Sequence, residues 1–234
     1  MPDFLKNEVL EESHTAKEYL LWAKGLVKKL KSEPNGLEMI RLGVGLGKEL
    51  MSEAIPIGLL ASKYFRGSDD VHINLKIGSQ NYDAVVSDFR KEPSGVSYIE
   101  VTLAHEGEDE YLRMLHLHKK GEASGLGRVT KHGTKKTGLD VEIAREMLSQ
   151  AEVLQRERSL LLKAIDKKLE KEYPQNTLLL VAFNDIMAFD RKDNIKNLEA
   201  VLVERMPRLT VFHTVAIVGL HQGLYICKRT GDAT

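Results

Sequence analysis

The stretch VHINLKIGSQNYDAVVSDFRKEPSGVSYIEVTLA, residues 71–104, decides the fold. His72 to Ile77 alternates polar with apolar side chains, the period of a half-buried strand. Gly78-Ser79-Gln80-Asn81 reads as a turn and Tyr82 to Phe89 as a second strand. Arg90 to Gly95, with its Pro and Gly, turns again, and Val96 to Leu103 forms a third strand. Three strands joined by short turns predict a meander.

N-terminal to the meander the period is helical. Leu20, Leu21, Ala23, Leu26, Val27 and Leu30 place a helix within residues 4–31, and Ser32-Glu33-Pro34-Asn35-Gly36 stops it. A second helix is expected over Leu37 to Phe65, broken or kinked near Pro56, whose ring removes a backbone donor. Residues 1–35 therefore read as a helical extension and 36–234 as one α/β domain. C-terminal to the meander, Glu106 to Lys120 reads as a helix and Gly121 to Gly138, with five glycines, as a long loop. Leu139 to Tyr173 carries Ala144, Met147, Ala151, Leu154, Leu161, Ile165 and Leu169 and reads as one long amphipathic helix. Thr177 to Phe183 is a continuous apolar run, as in a strand buried on both faces. A helix near Asn194 to Arg205 and a strand pair, Thr210 to Leu220 with Gly223 to Arg229, complete the chain.

The 234 residues are 42% hydrophobic and 29% charged, enough for one substantial core. Lys plus Arg equals Asp plus Glu at 34 each, so a charged partner has to be argued from local charge. The single cysteine, Cys227, excludes an internal disulfide and reads as a buried thiol. The N-terminal MPDFLKNEVLEESH lacks the basic start and apolar core of a signal peptide. Apolar runs such as Thr177 to Phe183 fall short of the roughly 20 residues that span a bilayer. The expectation is a cytoplasmic protein with no membrane partner.

Three acids stand where packing does not recommend them. Leu46, Leu50, Glu53, Ile57, Leu60 and Tyr64 form one helical stripe that Glu53 interrupts, and a carboxylate there is costly unless it is paired or bound to a metal. The bland alternative is that Pro56 rotates the stripe and exposes Glu53. Asp83 opens the apolar run Ala84-Val85-Val86, where a plain turn aspartate is the competing reading. Glu100 lies inside Tyr98-Ile99-Glu100-Val101-Thr102-Leu103, sharing a strand face with Tyr98 and Thr102. Carboxylates brought together on adjacent strands repel unless one is protonated or a hard cation such as Mg2+ bridges them.

Asp83, then Glu100-Val101-Thr102, on the second and third strands of a meander preceded by a helix with Glu53, resembles the PD-(D/E)XK (restriction-endonuclease-like) nuclease superfamily over roughly residues 37–183. The resemblance implies an α-β-β-β-α-β core with a mixed central sheet flanked by helices. It further implies Mg2+ or Mn2+ held by Asp83, Glu100 and Glu53, and hydrolysis of DNA phosphodiester bonds, in a setting such as bacterial defence, repair or a mobile element. Where the family has its motif lysine, this chain has Thr102, which shares the face but carries no cation. The catalytic set is thus Glu53, Asp83, Glu100 and Thr102, with Arg113 or Lys131 as a relocated cation. The alternative is a catalytically inactive nuclease fold that binds nucleic acid or protein.

Between Tyr111 and Gly138, seven Lys and Arg stand against the single acid Glu122. Arg113, Arg128, Lys131, Lys135 and Lys136 are therefore the expected nucleic-acid contacts, to DNA first and RNA second. A solvated loop balanced by Glu106 to Glu110 is the competing reading. Gly43-Val44-Gly45-Leu46-Gly47-Lys48 lacks Walker spacing, and His116 and His118 point apart on a helix, so neither a phosphate loop nor a zinc site is expected. The N-terminal helix, with Tyr19, Leu20, Trp22, Ala23 and Leu26, either packs on its own core or forms a homodimer contact.

Overall fold

The computed structural model describes residues 2, 4–122, 125–134 and 138–231. The chain folds as α/β, with a mixed seven-stranded sheet flanked by helices. The meander is present as β2 (Val71–Leu75), β3 (Ala84–Asp88) and β4 (Tyr98–Ala104). Ser13–Thr15, expected to be helical, forms an edge strand, β1, antiparallel to β2. The helix beside it, α2, covers Tyr19–Lys31. Beyond β4 the sheet continues through β7 (Thr177–Phe183), parallel to it, then β8 (Thr214–Gly219) and β9 (Tyr225–Arg229).

The two sheet faces bury separate apolar cores. On one, Leu26 and Leu30 of α2 pack with Leu50, Ile57 and Leu60 against Ile73, Ile99 and Val101. On the other, Leu161 and Ile165 of α7 (Gln150–Lys168) and Leu198 and Leu202 of α8 (Arg191–Arg205) cover Leu179, Val181 and Ile217. All seven residues of β7 are buried, as its unbroken apolar run requires, and each large aliphatic side chain there contributes about 1.5–3 kcal/mol. A Cβ on Gly58 would stand 2.9 Å from the Leu20 Cα, so the first layer depends on a bare backbone at that crossing.

The second expected helix is interrupted. α3 (Gly36–Leu42) ends at Gly43 in the left-handed conformation, φ 61°, which glycine adopts without cost. A continuous helix then runs through α4 (Leu46–Glu49), a π-helical turn (Leu50–Ala54) and α5 (Ile55–Tyr64). The wide turn lies directly before Pro56, which cannot donate to the preceding turn and needs room for its ring.

Two expectations after α6 (Glu108–Lys120) are corrected. β5 (Val129–Thr134) pairs antiparallel with β6 (Gly138–Ile143), where a loop running into a helix was expected. α7 starts only after Ser149, whose hydroxyl accepts the Glu152 N–H while the Glu152 carboxylate accepts the Ser149 N–H. Met147, expected on the helix stripe, is fully exposed before it. No described helix is long and apolar enough to cross a membrane.

Candidate functional site

The site lies where the sheet forks. β3 and β4 pair only at Ala84↔Ile99 and Val85↔Tyr98, and one further step of that register sets Asp83 opposite Glu100. There the ladder stops. The Val101 N–H, left without a β3 carbonyl, donates to Asp83 Oδ2 at 2.6 Å, while the Asp83 N–H donates to the Ile99 carbonyl at 2.8 Å. Residues opposite each other in a ladder share a face, so Asp83 and Glu100 both look towards α7.

Burial, and then the charge of Glu100, push Asp83 up to about 6. Its bond from Val101 and the charges of Lys168 and Lys171 oppose that rise. Glu100 is 3% exposed, and its Oε1 accepts a charge-assisted hydrogen bond from Lys168 Nζ at 2.5 Å. Thr102 is buried on the same strand face and lines the cleft above.

Glu53, on the π-helical turn, is half-buried at the opposite wall. Burial pushes it up to about 8, helped by the charges of Asp83 and Glu49 and opposed by Lys48. A freely exposed Glu53 is excluded by this burial. Glu49, one turn earlier, is also half-buried, and among the described residues its Oε2 has no hydrogen-bond partner. The Tyr173 hydroxyl is likewise buried without a partner, and burial with the charges of Glu100 and Asp83 raises its pKa.

This donor set is oxygen only, which suits a hard cation. Asp83 and Glu100 repel each other across the fork, and a divalent cation between them would relieve that repulsion. Mg2+ needs no more than one or two carboxylates when water and substrate oxygens complete its shell. Among the described residues no three acidic, His or Cys side chains converge tightly enough to hold a metal ion by themselves. The expected trio is therefore corrected to a pair, with Glu53 set apart on the facing helix.

Neither Arg113 nor Lys131 lines the cleft beside Asp83. Arg113 is 4% exposed and saturated: it donates to Glu106 and to the carbonyls of Gly125, Leu126 and Gly127. Arg156 reaches the same Glu106 and the Leu126 carbonyl, so two arginines clamp this segment from within. Lys131 pairs with Glu108 at 2.6 Å, outside the cleft. Arg128 is exposed but does not line the cleft, and Lys135 and Lys136 lie outside the described residues. Sequence reasoning missed Lys168.

The cleft has a volume of about 420 Å³. Asp83, Val101 and Thr102 form its floor, Lys48, Ser52 and Glu53 one wall, and Lys163, Lys167 and Lys168 of α7 the other. No protein-family model, curated protein or solved structure matches the chain.

Proposed function

We propose that this chain is a divergent PD-(D/E)XK nuclease that hydrolyses DNA phosphodiester bonds with Mg2+ or Mn2+, and that Lys168 stands in for the lysine missing at Thr102. The observation that carries the reading is the Lys168–Glu100 contact beside Asp83. A cation delivered from α7 reaches the same face of β4 that a lysine at position 102 would occupy. The helix–meander–helix–strand order and the fork between β3 and β4 support it further.

Asp83 and Glu100 would hold the cation, which when bound supplies Lewis acidity and a water of lowered pKa. Lys168 would orient that water and offset the negative charge that develops on the phosphate. The Thr102 hydroxyl, in the cleft lining, offers a bound group a neutral donor or acceptor but adds no charge. Glu53, protonated near neutral pH, donates a proton or a hydrogen bond from the facing wall.

The same contact also supports the inactive alternative, because an ammonium already neutralising Glu100 competes with a metal. Calorimetric titration of Mn2+, with cleavage assays on single- and double-stranded DNA, separates the two. A nuclease loses metal binding in Glu100→Gln. In Lys168→Met it keeps metal affinity but loses turnover by about 10²–10⁴-fold. Wild-type protein that binds DNA without binding Mn2+ or cutting it is the inactive form.

A further inference from the structure

Of the bases that the sequence nominated for nucleic-acid contact, Arg113 is consumed inside the fold and Lys131 pairs with Glu108 on the surface, whereas three lysines of the cleft, Lys48, Lys163 and Lys167, are exposed. Lys163 and Lys167 are exposed on α7, and Lys48 is exposed on the opposite wall. Among the described residues none of the three makes an ion pair, in contrast to Lys17, Lys120 and Lys131. Lys163 and Lys167 are four residues apart on one helix, so they stand about 6 Å apart along its axis, comparable to the step between neighbouring phosphates on one strand.

The depth of the acids restricts what can reach them. Thr102, at the bottom of the cleft, is 9% exposed, and Glu100, two residues before it on β4, is 3% exposed, so a reacting phosphate must descend between the α7 wall and the wall of Lys48 and Ser52. A cleft of about 420 Å³ is of small-ligand size and accommodates one backbone. A duplex presents two, separated by a groove about 12 Å wide in B-form DNA.

We propose that Lys163, Lys167 and Lys48 form a phosphate track that binds the backbone of a single strand of nucleic acid and lowers it towards Asp83 and Glu100. The proposal deepens the nuclease reading by naming its substrate form and the residues that hold it. The binding step itself needs no catalysis, so it can be tested where cleavage cannot occur.

The test is fluorescence anisotropy in EDTA buffer across a salt series, with labelled single-stranded DNA, single-stranded RNA of the same sequence, and the blunt DNA duplex. Wild-type protein is expected to bind at least one single strand about tenfold more tightly than the duplex. Lys163→Gln/Lys167→Gln should lower the slope of log affinity against log salt by about 1.4, at roughly 0.7 per phosphate contact on a single strand. The control Lys28→Gln/Lys29→Gln, on exposed positions of α2, should leave the slope unchanged. Circular dichroism of both double variants should match wild type, since Gln is as good a helix former as Lys. Equal or tighter duplex binding, no binding at all, or an unchanged slope in the cleft variant overturns the proposal. Tight single-strand binding by a protein that never cuts would leave the track standing and sink only the catalytic reading.

Discussion

Replacing Glu53 with Gln keeps the shape of the side chain and removes its titration. Glu53 is raised from the ordinary 4.5 to about 8, chiefly by burial and then by Asp83 and Glu49. A raised carboxyl contributes stability that is fully present below the unfolded value and is lost as pH rises, because the unfolded chain releases its proton first. The window is therefore about pH 4.5 to 8. At pH 7 the folded protein must retain a proton that the unfolded chain has given up, at a cost of about 3 kcal/mol. Water reaching this half-buried group lowers that to about 1–2 kcal/mol.

Glu53→Gln in EDTA buffer should thus match wild type near pH 4 and exceed it at pH 7, with a Tm higher by roughly 2–8 °C for a chain of this length. Calorimetric melts at half-unit steps from pH 4 to 8.5 would measure the difference. A difference that does not grow with pH, or a Gln variant less stable than wild type at pH 8, would mean that Glu53 is a satisfied structural group and that the cleft stores no excess negative charge.

Arg113→Met should destabilise the fold by about 3 kcal/mol in urea titration, since it leaves the carbonyls of Gly125 and Gly127 without their donor and Glu106 with Arg156 alone, while leaving the salt slope of nucleic-acid binding unchanged. Glu157, buried on α7 with Oε2 unpartnered among the described residues, is pushed up to about 7 by burial and by Asp185. Glu157→Gln should therefore equal wild type near pH 4 and outlast it in thermal melts above pH 7.

The strands of residues 71–104 were legible because alternation, turns and the positions of Asp83 and Glu100 all follow from local chemistry. Misreadings fell where two periods met. Leu139, Val141 and Ile143 alternate with Asp140 and Glu142, a strand pattern that was absorbed into the longer helical stripe following it. The boundary was nevertheless written in the sequence as Ser149-Gln150-Ala151-Glu152, the spacing of a capping box. Ser13–Thr15 gave no such signal, because its strand state is set by β2 from some sixty residues away.

Which bases of the segment 111–138 are available was not legible from charge alone. Local charge counts every Arg and Lys as available, yet Arg113 is spent on its own backbone and Lys131 on Glu108. Lys168 could have been found by the rule that singled out Glu53: a charge on a core-facing stripe needs a partner. It lies three, four and seven residues beyond Ile165, Ala164 and Leu161, all buried, so its ammonium had to meet an acid inside the fold. Glu100, on the strand face that α7 covers, was an acid in the same position. The two anomalies answer each other. Neither the buried Glu100 side chain on β4 nor the Lys168 side chain on the stripe is explained by packing alone, and their meeting beside the fork gives both a reason to be there.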